Sequence, residues 1–290
     1  MKKRFILVLL ILLLCLMGCT QSESSSFKII FIDVGQGDAA LVLCDGHAML
    51  IDGGDATAGK TIYDTLENEG DGKPIRHLDY LVISHLHQDH YAGLIEGLKN
   101  TEYIGLTLSN KRESSNQYFL QFEEELGKVN GKGSKITVPH IDEEFELGSA
   151  KVTILDVSAE EENDSLVLLI KYKNTSFLFT GDIQYSGQKR LVEKYAKGGD
   201  ATFKVNVLKM PHHGSWGSIA ANDNDLYRLV RTFTPDYAII SAGLGNRYGH
   251  PHRETLELLD QAKVKVYRTD INSNITVISD GQTVTIKSDK

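Results

Sequence analysis

The sequence from residue 27 to residue 290 predicts an α+β fold built in four layers, an αββα sandwich. Three observations lead there. Strand-like apolar runs alternate with helical patterns in two similar halves, which suits two facing sheets with helices outside. Clusters of histidine and aspartate fall repeatedly at the carboxyl end of a strand-like run. No short-period repeat or second domain interrupts the stretch, and sandwiches of this length often fold as one domain.

The amino-terminal residues stand apart from that domain. Lys2, Lys3 and Arg4 precede an apolar stretch from Phe5 to Met17, shorter than the roughly 20 residues a membrane-crossing helix needs. This is the layout of a secretory signal, and Leu16-Met17-Gly18-Cys19 resembles the lipobox at which bacterial lipoproteins are cleaved and lipidated. Residues 1–18 are therefore expected to be a lipoprotein signal peptide. Residues 19–26, polar and serine-rich, are expected to be a flexible tether with lipid on Cys19. An uncleaved anchor with a chance cysteine is the alternative, since Met17 is larger than the residue usual there. Both readings tether the domain to the cell membrane on its extracytoplasmic side.

Within the domain, Phe27 to Asp33, Ala39 to Cys44 and Ala48 to Asp52 read as strands, with Cys44-Asp45-Gly46-His47 as a hairpin turn between the last two. A helical stretch around Thr61 to Glu69 precedes a strand from Tyr80 to Ser84. Further strands are expected at Lys151 to Asp156, Ser165 to Tyr172, Ser176 to Thr180, Lys204 to Met210 and Tyr237 to Ser241. Helices are expected at Tyr118 to Lys128, Gly187 to Lys197, Asn224 to Thr232 and Arg253 to Lys263. Asp280-Gly281 marks a closing hairpin.

The formal charge is −8, and loss of the three cations Lys2, Lys3 and Arg4 takes it to −11. Such a surface disfavours tight, nonspecific nucleic-acid binding. Lys111-Arg112 and Lys132 to Lys135 are too sparse for a basic track and read as solvated surface. Cys15 leaves with the signal, Cys19 would carry lipid and Cys44 sits alone in an apolar strand, so no disulfide framework exists.

Chemistry concentrates in Ser84-His85-Leu86-His87-Gln88-Asp89-His90, which follows a strand directly. Residues two apart on an extended segment project to the same side, so His85 and His87 can share one ion. After the chain turns, Asp89 and His90 can take a second. Imidazole with carboxylate suits Zn²⁺, Mn²⁺ or Fe²⁺. Four residues cannot fill two coordination shells, and Asp182, after a strand and beside Gly181, is the candidate bridge, although Asp after Gly is also an ordinary turn. In Pro211-His212-His213-Gly214 adjacent histidines point to different sides, so at most one is a direct ligand. Asp33 and Asp52 end strands, Gln36-Gly37-Asp38 is a backbone wall or a tight turn, and His47 and His77 are surface residues.

His-x-His-x-Asp-His, the later Gly-Asp and the later His resemble, in that order, the metallo-β-lactamase superfamily, and the likeness spans nearly all of residues 27–290. More narrowly, residues 33–38, Leu50-Ile51-Asp52-Gly53-Gly54, His212-His213-Gly214-Ser215 and the segment from Asn246 to His252 are similar to the soluble domain of ComEC-like DNA-uptake competence proteins. The phosphorylcholine esterases of cell-wall teichoic acid share part of the pattern. The resemblance implies two divalent ions, zinc or manganese. His85 and His87 would hold the first, Asp89, His90 and His213 the second, and Asp182 would bridge, leaving His212 near the site or catalytic. Most members supply another histidine to the first metal, but only His140, in a polar loop, lies in that interval here. Asn163-Asp164-Ser165 matches a ComEC-like motif instead, so the first site is expected to be open, weaker or completed by water. Asp33, Asp52, Asn163 and Ser165 are expected to support the ligands from behind, and His250 and His252 to contact phosphate.

The implied activity is a phosphodiesterase or nuclease whose attacking water is held between two ions. Asp89 would belong to the catalytic set, and His212, His250 or His252 would protonate the leaving group. The substrate is a phosphoester, with single-stranded DNA among the candidates, and no protein partner is inferable. One alternative is a cell-envelope phosphoester hydrolase in which Tyr91, Trp216 or Tyr248 cages a choline-type head group. Another is a metal-stabilised binding module without activity. A β-lactam hydrolase fits the phosphate-associated motifs poorly, and no Gly-x-Ser-x-Gly elbow offers a covalent nucleophile.

Overall fold

A computed structural model describes residues 26–290 apart from 71, 162, 197–202 and 217–224. The signal segment and Cys19 lie outside the described residues.

Fifteen strands are present among the described residues: β1 (Phe27–Phe31), β2 (Ala40–Cys44), β3 (His47–Ile51), β4 (His77–Ile83), β5 (Tyr103–Ser109), β6 (Ile136–Thr137), β7 (Glu144–Leu147), β8 (Ala150–Asp156), β9 (Val167–Tyr172), β10 (Thr175–Phe179), β11 (Val207–Lys209), β12 (Tyr237–Ile240), β13 (Lys265–Arg268), β14 (Ile275–Ser279) and β15 (Val284–Ser288). They form two mixed sheets, one ordered β15-β14-β1-β2-β3-β4-β5-β6 and the other β13-β12-β11-β10-β9-β8-β7. The helices are α1 (Gly59–Asn68), α2 (Gln88–Tyr91), α3 (Leu94–Gly97), α4 (Gln117–Leu126), α5 (Tyr185–Tyr195), α6 (Asp225–Phe233), α7 (Arg253–Gln261) and α8 (Thr269–Asn272). Among the described residues no helix is long and apolar enough to cross a membrane.

Period-two alternation explains the layering. On β1, Ile29 joins the core between the sheets while Ile30 joins the core under the helices. The inner core stacks Phe27 on Phe177 with centroids 4.7 Å apart and Phe31 on Phe179 at 5.5 Å. One outer core packs Ile62 and Leu66 of α1 and Phe119 and Phe122 of α4 against the first sheet. The other packs Leu191 of α5, Leu229 and Phe233 of α6 and Leu258 of α7 against the second. Helix, sheet, sheet and helix are the four layers the sequence predicts.

Four strands go beyond those expected. The Glu-Phe-Glu-Leu of β7 keeps glutamates outward at a sheet edge, and β6 and β13 are very short. In β5, Gly105 interrupts the apolar pattern; a Cβ there would lie 2.5 Å from the Asp79 carbonyl oxygen. The carboxyl ends of β1, β3, β4, β5, β10, β11 and β12 lead into the loops that build one rim of the sandwich.

Candidate metal centre

β4 runs straight into His85, and α2 then carries Asp89 and His90. The turn between them is anchored by Asp52 at the end of β3, which is 2% exposed. Asp52 Oδ1 accepts the Ser84 N–H at 2.7 Å, and Oδ2 accepts the Ser84 hydroxyl at 2.8 Å and His90 Nδ1–H at 2.9 Å. That last bond fixes the tautomer of His90, so its Nε2 lone pair points away from Asp52 and towards the rim.

β10 leads through Thr180 into Gly181-Asp182. Gly181 has φ +50°, and a Cβ there would sit 2.6 Å from Ser165 Cβ, so glycine is what lets the two loops close up. Ser165 Oγ accepts the Asp182 N–H at 3.0 Å and so holds the backbone that presents Asp182. β11 leads to His212 and His213, whose φ values of 48° and 55° are left-handed. Such a conformation costs a non-glycine residue roughly 1–3 kcal/mol. It also overturns the expectation that the pair points to different sides: both rings line the same cavity.

Ligand atoms converge there. His90 Nε2 lies 3.2 Å, His213 Nε2 3.4 Å and His85 Nε2 3.9 Å from Asp182 Oδ2, and His213 Nε2 is 3.3 Å from Asp89 Oδ2. The ring of His87 is 4.5 Å from that of His85. The buried atoms His85 Nε2, His90 Nε2, His213 Nε2 and Asp182 Oδ1 make no hydrogen bond among the described residues. Two ligands bonded to one ion at about 2.0–2.1 Å sit roughly 3 Å apart, which is the spacing found. The donor set fits divalent cations: ligand atoms of His85, His90 and Asp182 converge as one group and those of Asp89, His90 and His213 as another, with the His87 ring beside the first. His140 is exposed and supplies no ligand to this group; Asn163 lines the cavity.

Electrostatics follow from burial. Desolvation pushes the His85 imidazole well below its usual value, assisted by the neighbouring His90. It pushes His90 and His213 down as well, but Asp182 together with Asp52 and Asp38 outweighs it and carries both well above. Burial raises Asp182, and the facing His213 and His90 more than reverse this. Opposed charges thus compensate in a site built to exchange those protons for cations.

Two side chains at the centre take parts the sequence reading did not give them: Asp38, read there as wall or turn, and Lys209, not singled out at all. Asp38, 5% exposed, places Oδ1 3.2 Å from His213 Nδ1 and Oδ2 2.6 Å from the Nζ of Lys209, itself 3% exposed. His213 Nδ1–H donates to the Ser241 carbonyl at 3.1 Å, so its Nε2 is left to face the rim. Gly37 brings Asp38 in, since a Cβ at Gly37 would lie 2.3 Å from the Asp89 carbonyl oxygen. A lysine within the buried run Val207-Leu208-Lys209-Met210 was the available signal.

Three expectations are corrected. Asp33 accepts the Gly35 N–H at 3.2 Å and so caps its own turn, leaving the supporting role on this segment to Asp38. His252 commits both ring nitrogens, Nδ1 to the Trp216 N–H at 2.9 Å and Nε2 to the Tyr248 carbonyl at 3.3 Å, and joins two loops outside the cavity lining. Tyr91 is fully buried against Phe119 and Phe122 and cannot cage a head group. His250 does face the cavity, which measures about 260 Å³. His47 and His77 are exposed, as expected.

Comparison with known proteins places the fold and the family. The chain is 29% identical over 280 residues to ComE operon protein 3 of Bacillus subtilis, covering 91% of this chain and 34% of that protein. It is 29% identical over 241 residues to competence protein ComA of Neisseria gonorrhoeae, covering 83% and 30%. It thus spans about a third of the length of the curated relatives it matches. Among solved structures, the metallo-beta-lactamase fold protein YhfI from Bacillus subtilis superposes with a TM-score of 0.54 at 12% identity, covering 88% of this chain and 100% of that one. The family description "Metallo-beta-lactamase superfamily" matches residues 32–229, and with strand ends, ligand order and two-sheet architecture in accord, the chain belongs to that superfamily.

Proposed function

We propose that this protein is a metal-dependent phosphodiesterase tethered outside the cell membrane by lipid on Cys19. The observation that carries the catalytic part is the convergence of His85, His90, His213 and Asp182 on one rim with their buried ligand atoms unpartnered. Two divalent ions held by these residues would supply Lewis acidity towards a phosphoryl oxygen and make an attacking water more acidic.

The protein's own groups complete the chemistry. Gln184 Nε2–H donates to His212 Nδ1 at 2.7 Å, which leaves the proton of a neutral His212 on Nε2, facing the cavity 3.9 Å from Asp182 Oδ2. From there it donates to a substrate oxygen and hands a proton to the leaving oxygen. His250 is held neutral at pH 7, its pKa pushed down to about 4 by burial and then by His212, His213 and His252. It offers a second neutral donor on the cavity wall. Asn163 shares the cavity wall with His87, Asp89 and Asp182 and offers an uncharged amide to an incoming phosphoryl oxygen. Likeness to proteins named for competence supports a phosphodiester over an acyl substrate.

The full chain in detergent, loaded with Mn²⁺ or Zn²⁺, is expected to hydrolyse bis-p-nitrophenyl phosphate and single-stranded DNA but not p-nitrophenyl phosphorylcholine. Activity that survives His87→Ala combined with Asp182→Asn sinks the metal-dependent reading. Cys19→Ala is expected to move the protein from the membrane to the soluble fraction.

A further inference from the structure

The metal centre opens to two hollows rather than one, and His87 belongs to the wall of both. One holds His212, His250 and Tyr248; the other, of about 200 Å³, lies beside His85 and is lined by Asn110, Lys111, Glu113 and Ser114. Each is smaller than the roughly 300–1,000 Å³ of a site that encloses a whole ligand. Each therefore suits one unit of a longer substrate that crosses the metal centre.

The fold puts a cation in the second hollow. β5 runs parallel to β4 with Ser109 opposite Ile83, so the residues just beyond β5 emerge one strand over from His85, about 4.8 Å away. Asn110 is buried there, its Nδ2 donating to the Ser158 carbonyl at 3.0 Å, which fixes the backbone that presents Lys111. Two lysines adjoin the centre. Lys209 is neutralised by Asp38, whereas half-buried Lys111 has no ion-pair partner among the described residues, Glu113 being exposed. The sequence reading of Lys111 as solvated surface is thereby replaced by a place on the rim.

In the first hollow a rigid loop presents an aromatic. Asn246 Oδ1 accepts the N–H groups of Tyr248 at 3.2 Å and His250 at 3.0 Å, and its Nδ2 donates to the Gly243 carbonyl at 2.9 Å. The loop holds Tyr248 49% exposed, with the Arg247 guanidinium 4.8 Å from its ring centre. A flat, anion-linked unit matches that pair.

Building on the phosphodiesterase reading, we propose that the hollow beside His85 and His87 is a second anion subsite, in which Lys111 binds the phosphate next along the chain from the one hydrolysed. The substrate is then a polymeric phosphodiester, and the Arg247–Tyr248 pair favours a nucleic acid strand over a polyol phosphate.

The test reads binding as well as turnover. A fluorescent hexathymidylate with hydrolysis-resistant phosphorothioate linkages is titrated with the Mn²⁺-loaded full chain between about 50 and 200 mM salt. Lys111→Ala is expected to weaken binding about tenfold and to reduce the slope of log K against log salt by about 0.7, the single-strand value for one lost phosphate contact. Lys111→Arg is expected to restore both. Unchanged affinity and slope in Lys111→Ala, or a wild-type chain that does not bind the strand, overturns the subsite. The kcat/KM of Lys111→Ala for bis-p-nitrophenyl phosphate, which has no second phosphate, is expected to stay within about twofold of wild type; a parallel fall assigns Lys111 to the central site and also overturns it. A strand bound through Lys111 whose natural diester is never cut leaves the subsite standing and sinks the hydrolase reading. Equal dependence on Lys111 for poly(glycerol phosphate) overturns the choice of nucleic acid.

Discussion

At the scale of single residues, the Lys209–Asp38 pair is the sharpest departure from what apolar patterning alone would place between two sheets. Both side chains are buried, and Nζ also donates to the Met210 carbonyl at 2.9 Å. Burial raises the Asp38 carboxyl, but Lys209 and then His213 more than reverse this and hold it below the usual range. Removing one partner from a buried pair leaves an uncompensated charge and costs about 3–5 kcal/mol. Lys209→Met is expected to lower stability by that much in urea unfolding of the metal-free chain, and adding Asp38→Asn to recover most of it. A loss under about 1 kcal/mol would show that Asp38 takes up a proton instead. With metal excluded, the measurement separates support of the fold from support of His213.

At the scale of elements, α5 is tied to the loop that enters β9 by one arginine. Arg190 Nε donates to Asp156 at 2.9 Å and Nη2 to Asp164 at 2.6 Å, and Asp164 Oδ2 also accepts the Ser158 hydroxyl at 2.6 Å and the N–H groups of Glu160 and Glu161 at 3.0 Å. Burial alone would raise the Asp164 carboxyl, but the Ser158 hydroxyl, Arg190 and the Glu161 N–H more than offset it and hold it below the usual carboxylate range. A depressed carboxylate stabilises the fold fully above its unfolded pKa, and that contribution is lost as pH falls through the folded value. The wild type should therefore lose stability below about pH 4 in a step that Asp164→Asn flattens; parallel acid-unfolding curves would remove this loop from the account. The same loop shows what was legible. Asn163 and Ser165 could be singled out only through the family resemblance, whereas the strand and helix periods at Phe27–Phe31 and Arg253–Gln261 were clear in the residues themselves. Asp38 could not be separated from a turn, because its burial depends on Lys209, far along the chain. His212 and His213 were expected to splay, because left-handed backbone at two successive histidines follows from the fit of a loop to a rim and leaves no trace in side-chain pattern.

At the scale of the whole molecule, the two sheets are joined at their inner faces by aromatics and at one rim by ionisable groups. Asp52 and His90 come from the first sheet, Asp182 and His213 from the second. An ion held between them links the halves of the sandwich, and because the set exists only in the folded chain, binding stabilises the native state alone. At a free ion concentration about a hundredfold above Kd the gain is about 2.7 kcal/mol. For a domain of this size that raises Tm by roughly 5–10 °C. Thermal unfolding of the chain treated with a chelator, then titrated with Mn²⁺ or Zn²⁺, is expected to show that rise and to show it saturate. His213→Ala removes a ligand contributed by the second sheet and is expected to abolish most of the increment, whereas His140→Ala, exposed and outside the converging ligand groups, is expected to leave it whole. An unfolding temperature indifferent to both ions would mean that opposed charges alone hold the rim together, and the converging imidazoles would then need another explanation.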